Sequence, residues 1–359
     1  MSATAAPAAF DNAKFESFLH RMVGDVGATL TGALIVVGDK LGYYRTLAER
    51  GALTSQELAE ATGTHERYAR EWLSNQAASG YVDYDPATKT FTLPAEHQPL
   101  LADESSPVLL CGLYQIAQTM FADEPAITEA FRTGNGFGWH EHDPRLFGAT
   151  ERFFRPGYNA NLVSNWIPAL DGVEAKLRAG ARVADVGCGL GTSTIVMAQA
   201  YPQSRFEGYD YHQGSIDAAR AAALKAGVAD RVTFEVASAK AYPSAGYDFV
   251  ACFDCIHDMG DPAGALAHIR ATLREDGTFM MVEPFANDAL EDNLNPVGRV
   301  FYAASTLLCT PASLSQEVGT ALGAQAGEAR LRELCTRAGF TRFRRATETP
   351  FNLVFEARP

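Results

Sequence analysis

The nine residues DVGCGLGTS, Asp185 to Ser193, constrain this chain more than any other stretch. A short apolar run, Ala181-Arg182-Val183-Ala184, leads into them, and the apolar-periodic segment Thr194-Ile195-Val196-Met197-Ala198 follows. Strand, glycine turn, helix is the layout of a nucleotide pocket in an open α/β sheet. From about residue 179 onward strands and helices alternate, which predicts a doubly wound, largely parallel sheet.

The local chemistry narrows the nucleotide. No Gly-Lys-Ser/Thr follows the turn, so a P-loop is excluded. Gly187, Gly189 and Gly191 are spaced G-x-G-x-G rather than as the dinucleotide fingerprint. Asp185 stands two residues before the first glycine, where a carboxylate would repel a pyrophosphate docked on the helix N-terminus. S-adenosylmethionine has no phosphate and carries an ammonium and a sulfonium, so an acid there suits it. A second strand, Arg205 to Tyr209, ends at Asp210, about twenty residues beyond the turn, where an acid can bond both ribose hydroxyls. Tyr211 and His212 follow, placed to flank an adenine.

Ahead of this region the chain reads differently. Residues 12–50 are mainly helical by their apolar spacing, and a small-residue face around Gly32, Ala33, Val36 and Val37 suits close packing against a second subunit. Thr54 with Glu57 forms a capping box, Thr64 is expected to cap a second helix running to Ser79, and Tyr81–Tyr84 and Thr90–Leu93 form a hairpin around Asp85-Pro86. Helix-turn-helix plus hairpin is a winged helix. Residues 50–98 hold Arg50, Arg67, Arg70 and Lys89 against seven acids, and the whole chain of 359 residues carries a net charge of −13. Both counts argue against nucleic acid or an anionic membrane as partner. The start, MSATAAPAAFDNAKF, lacks the basic region of a signal peptide and is expected to fray. The run Val26 to Gly38 is expected to be too short for a bilayer. A cytoplasmic protein with six reduced cysteines follows as the expectation.

DVGCGLGTS together with FEGYDYHQGSIDAAR resembles the class I S-adenosylmethionine-dependent methyltransferases. The resemblance runs from about Ala181 to the C-terminus, where FTRFRRATETPFNLVFEARP is similar to the family's closing antiparallel hairpin. With the winged helix in front, the chain resembles a group found in actinobacteria and related to small-molecule O-methyltransferases. The resemblance implies a Rossmann-like methyltransferase domain over 179–359, a helical and winged-helix dimerisation or lid domain over 1–100, and a helical linker over 101–178. It implies cofactor contacts from the glycine turn, Asp210 and the ends of the next two strands. With the residues read above, the expected set is Asp185, Gly187, Cys188, Gly189, Gly191, Thr192, Asp210, Tyr211, Ser238, Ala239 and Phe253. Ser238 stands where the family usually has an acid.

The loop Phe253-Asp254-Cys255-Ile256-His257-Asp258-Met259-Gly260-Asp261 leaves a strand on the catalytic edge of such a sheet. In the O-methyltransferases it resembles, an IHD-x-x-D motif carries a His acting as general base. Two roles suit His257: that base, which would raise the nucleophilicity of an acceptor oxygen, or a structural one, capping the following helix or bonding within the loop. Glu283, at the end of the next strand, is placed to fix the imidazole tautomer, while Asp258 suits either orienting the ring or, the stronger expectation, a solvated position. Among the aromatics of 101–178, Trp139, Tyr158 and Trp166 are expected at a substrate pocket, and the others in core. No metal site is expected: Cys252-x-x-Cys255 has no second cysteine pair, and His140 and His142 fall in a glycine-rich loop. The expected function is methyl transfer to a small, partly apolar acceptor at oxygen, in a homodimer. N- or C-methylation, or a cofactor-sensing winged-helix regulator, fits the same residues less directly.

Overall fold

The computed structural model describes residues 10–243 and 246–359, and the chain divides into two compact units after Tyr114. The expected frayed tail, residues 1–9, lies outside the described residues. In the first unit a long α1 (Asn12–Lys40) precedes α2 (Tyr43–Arg50), α3 (Ser55–Thr62), α4 (Glu66–Ala78), the strands β1 (Asp83–Asp85) and β2 (Thr90–Thr92), and a single turn α5 (Gln98–Leu101). The capping box forms as the sequence predicts: Glu57 N–H donates to Thr54 Oγ1 (3.3 Å) and Thr54 N–H to Glu57 Oε2 (2.8 Å). Thr64 does not cap α4. Its hydroxyl accepts from Tyr43 Oη (2.8 Å), and His65 takes over, Nδ1 accepting from Arg67 N–H (3.2 Å).

Trp72 organises this unit's core. Its indole donates to Leu34 O (2.8 Å) and meets the rings of Tyr43 and Tyr44 edge-on at 4.9 and 5.1 Å. On α4, Arg67 and Arg70 pair with Glu71 and Glu66. α1 departs from expectation in two ways. It runs unbroken through Gly24 and Gly27 for 29 residues, so by length and composition it is apolar enough to cross a membrane, which Val26–Gly38 alone is not. The expected dimer face is also partly covered within the unit: Val36 is buried and Gly32 faces Tyr114. The open apolar stripe lies earlier, at Phe15, Phe18, Met22, Val26 and Leu30, at spacings of three and four, and continues to Val37.

Helix α6 (Cys111–Thr133) runs through the division, and the second unit continues with α7 (Arg145–Asn161) and α8 (Val173–Ala179). There follow β3 (Arg182–Val186), α9 (Thr192–Ala200), β4 (Arg205–Asp210), α10 (Gln213–Lys225), β5 (Val232–Val236), β6 (Tyr247–Phe253), α11 (Pro262–Thr272) and β7 (Leu273–Pro284). Helices α12 (Pro296–Ala304), α13 (Thr310–Leu314) and α14 (Gly327–Arg337) precede the hairpin of β8 (Arg342–Glu348) and β9 (Asn352–Arg358). The seven strands lie in the order β5-β4-β3-β6-β7-β9-β8. β3 to β7 are parallel, and β9 inserts antiparallel between β7 and β8. Strand order reverses between β3 and β6, the switch point where open α/β sheets hold ligands. β3, β6, β9 and the second half of β7 are mostly buried because both faces are covered, by Leu162, Trp166, Met197 and Ile216 on one side and Leu266, Ile269, Leu331 and Leu334 on the other.

Gly38 tests the first unit's packing. A Cβ added there would stand 2.2 Å from the Trp72 ring, which neighbours lock in place. Gly38→Ala is expected to destabilise by about 1–3 kcal/mol, as overpacking does. The check is a urea-unfolding midpoint, which should fall.

Candidate active site

The glycine turn is tied to the strand beside it. Gly187 and Cys188 both donate to Tyr209 O, at 2.7 and 3.0 Å, and Gly189 N–H donates to Asp210 Oδ2 (3.0 Å). Gly187 has φ 79°, and a Cβ on it would lie 2.7 Å from Cys255 Sγ, so only glycine fits. Asp210 Oδ1 accepts from His212 N–H (2.9 Å), and the carboxylate keeps two lone-pair sites for a ligand. Burial raises its pKa, and its two backbone donors pull the other way. Asp185 is fully buried between the end of β3 and the start of α9. Its Oδ2 accepts from Ser193 Oγ (2.6 Å) and Thr194 Oγ1 (2.7 Å), while Oδ1 has no hydrogen-bond partner. Burial pushes this carboxyl up to about 6, with the two hydroxyls opposing.

Past β6 the backbone turns sharply. Asp254 takes a left-handed conformation, φ 49°. Its N–H donates to Val282 O (2.8 Å), and its carboxyl accepts from Asn352 Nδ2 (2.9 Å) and Tyr158 Oη (3.4 Å). Burial, then the nearby Glu283, drives its pKa well up. His257 follows on the single turn Ile256–Asp258, 4% exposed. Its Nδ1 lies 2.5 Å from Glu283 Oε2, whose other oxygen accepts from Ile256 N–H (3.0 Å). A carboxylate only accepts, so Nδ1 carries the proton. His257 Nε2 lies 3.2 Å from Asp258 Oδ1. Burial alone would lower this imidazole's pKa, but the Asp258 and Glu283 carboxylates reverse that and hold it well above its ordinary value. The helix-cap role is not taken by His257, since Asp261 caps α11 through Gly264 N–H (2.8 Å). Nor is Asp258 simply solvated, because the loop turns it back onto the imidazole.

These elements border a cavity of about 470 Å³ at the switch point. Among the expected cofactor residues, Gly187, Cys188, Gly189, Thr192, Asp210, Tyr211, Ser238, Ala239 and Phe253 line it, and so do Trp139 and Tyr158. Gly191 lies behind the wall, as does Asp185. Trp166 is brought in with neither: it is 1% exposed and packs edge-on to Tyr158 in the core, because a π-turn at Leu162–Trp166 swings it inward. His212 turns away from the cavity, Nδ1 capping α10 at Ser215 N–H (3.1 Å) and the ring stacked on Phe147. Sequence reasoning passed over Phe147, Glu151, Phe154, Asp254 and Lys240, which also line the cavity. Asp254 carried a readable signal, a polar residue directly after a strand on the catalytic edge. Glu151 carried none; its partner, Thr192 Oγ1 at 3.0 Å, is apparent only in three dimensions.

Residues 29–103 match the family described as "Rv2258c-like winged HTH domain", and residues 177–326 the family described as "Methyltransferase domain". The 27-O-demethylrifamycin SV methyltransferase of Amycolatopsis mediterranei (strain S699) is 33% identical over 139 residues, 36% of this chain and 51% of that protein. An uncharacterized methyltransferase of Bacillus subtilis (strain 168) is 27% identical over 130 residues, 35% of this chain and 50% of that protein. The matches thus span about half the length of these curated relatives. Among solved structures, mitomycin 7-O-methyltransferase superposes with a TM-score of 0.68 at 22% identity, covering 97% of this chain and 100% of that one. An O-methyltransferase from neocarzinostatin biosynthesis, solved with S-adenosylmethionine and 2-hydroxy-5-methyl naphthoic acid, has a TM-score of 0.61 at 18% identity, over 92% and 96%. These structures share the fold. Helical winged-helix unit, parallel sheet with its antiparallel closing hairpin, acid-flanked glycine turn and both family matches agree: the chain carries a winged-helix domain followed by an S-adenosylmethionine-dependent methyltransferase domain.

Proposed function

We propose that the protein transfers a methyl group from S-adenosylmethionine to an oxygen of a small, partly apolar acceptor, with His257 as general base. The site residues fit this cofactor. Asp185 presents a buried carboxylate oxygen without a donor behind a turn that a pyrophosphate would find repulsive. Asp210 retains acceptor sites for two ribose hydroxyls, and Tyr211, Ser238 and Ala239 form the wall suited to an adenine. The bound cofactor supplies an electrophilic methyl on a sulfonium, already a good leaving group. The chain's own contribution is alignment and a proton acceptor. Trp139, Phe154 and Tyr158 give an apolar wall that excludes water and orients an aromatic acceptor. Glu283 on Nδ1 leaves Nε2 as the basic atom of His257, and Asp258, which borders the cavity, links that atom to the acceptor space. The His257–Glu283 contact carries the reading.

The winged helix serves this reading as a dimerisation or lid domain rather than a DNA reader. Arg67 and Arg70 are spent on acids of their own helix. The stripe from Phe15 to Leu30 suits a second copy of the chain in a cytoplasmic homodimer, and six free cysteines agree with a reducing compartment.

Calorimetry with S-adenosylmethionine should show Asp210→Ala losing about 1–3 kcal/mol of affinity, the worth of hydrogen bonds to a charged group. Unchanged affinity, or tighter binding of NAD, would remove the assignment. His257→Gln should bind cofactor normally and lose about 10²- to 10⁴-fold in turnover. Because the base must be neutral and its pKa is raised from 6.5, the wild-type rate should climb with pH through a limb above 6.5, and the variant should lack it. Turnover within a few-fold of wild type would leave alignment alone as the catalyst. Light scattering at micromolar concentration should report a dimer that Met22→Glu converts to monomer; a monomeric wild type would contradict the dimer.

A further inference from the structure

A second group of side chains converges beside the cavity from separate parts of the chain. His257 Nε2, Asp258 Oδ1 and Cys309 Sγ all lie within 4.8 Å of one another, and Nε2 to Oδ1 is 3.2 Å. Two ligands each about 2.0–2.2 Å from one tetrahedral zinc stand at roughly that separation. Cys309 closes the π-turn Ser305–Cys309, an irregularity that often marks a functional position. We propose that His257, Asp258 and Cys309 form a binding site for a soft divalent cation of the zinc class, its fourth position open to the cavity.

Four observations carry the assignment. The donors are imidazole, carboxylate and thiol, a set that selects zinc-like ions over magnesium or calcium. Glu283 on Nδ1 is the outer carboxylate that metal-binding histidines ordinarily possess, and it aims Nε2 at the other two donors. Asp258 Oδ1 is buried 3.2 Å from Nε2, so a cation between them would be shared by both atoms. Finally, the Asp258 and Glu283 carboxylates flank one imidazole at 3.2 and 2.5 Å, and an added cation would offset that pairing of two acids with one ring. Asp258 borders the cavity and Cys309 does not, so an ion would enter from the cavity side. Three protein ligands with one open position is the arrangement of reactive rather than structural zinc.

Without a cation, burial pushes the Cys309 thiol up to about 12. Binding therefore exchanges protons for metal: the thiol releases its proton to solvent and its sulfur becomes a thiolate ligand, His257 binds through a deprotonated Nε2, and Asp258 binds as carboxylate. The site does not depend on the methyl-transfer reading, but an ion in it occupies the atom that the base step needs. Metal binding and catalysis by His257 are then mutually exclusive.

Chelator-treated full-length protein titrated with Co²⁺, as a spectroscopic stand-in for zinc, tests this. One equivalent should saturate visible bands of tetrahedral cobalt together with a thiolate-to-cobalt charge-transfer band, and protons should be released. Cys309→Ser should lose the charge-transfer band, and Asp258→Asn should bind about 10- to 100-fold more weakly. Circular dichroism checks that both variants fold, and the Cys252→Ala/Cys255→Ala double variant should keep the full spectrum. A folded wild type with no saturable band overturns the site. So does a band that survives Cys309→Ser or disappears in the double variant.

Discussion

Asp210 holds the second unit's ligand edge together. One carboxylate oxygen takes Gly189 N–H and the other takes His212 N–H, so a single side chain ties the glycine turn after β3 to the start of α10 after β4. The turn in turn fixes α9, whose first residues Ser193 and Thr194 clamp Asp185. The cavity edge and the local fold are thus one arrangement: Asp210, which borders the cavity, and Asp185 behind it hold the turn and helix that form the wall. Charge-assisted hydrogen bonds of this kind are worth more than neutral ones, and burial raises their cost when broken.

The edge is acidic throughout. Asp185, Asp210 and Asp254 ring the turn, and burial raises the pKa of each. The imidazole of His257 sits at the far side between two carboxylates, whose attraction outweighs desolvation.

Much of this was legible in the sequence, for physical reasons that differ by element. The turn and both strand-end acids rest on local patterns, so spacing revealed them, while the hairpin at the C-terminus came from the family resemblance. Gly187 shows why: its positive φ and its approach to Cys255 leave one residue type possible. The Thr54–Glu57 box was equally local. Thr64 was misread because its hydroxyl is claimed by Tyr43, a contact that only tertiary structure supplies. Trp166 was expected at the pocket, but the π-turn before it rotates the ring into the core, and no composition signal announces a π-turn. Asp258 looked like a solvated acid until the turn Ile256–Asp258 folded it onto His257. The small-residue face of α1 read as open is partly covered by its own unit, because Tyr114 and Trp72 pack against Gly32 and Gly38.

The left-handed backbone at Asp254 has a consequence for the history and engineering of this protein. A non-glycine residue there, with its carboxyl held against desolvation, is a local weak point of the fold. Glycine would relieve both burdens at the cost of the bonds from Asn352 and Tyr158. A library sorted only for heat resistance would therefore drift toward glycine at 254, keeping the sheet intact while erasing the carboxyl from the cavity wall. Asparagine, which also tolerates the conformation, would be the intermediate that preserves the shape and drops the charge. Persistence of Asp at this position across divergent copies would mark selection for what the pocket must attract, acting against selection for stability.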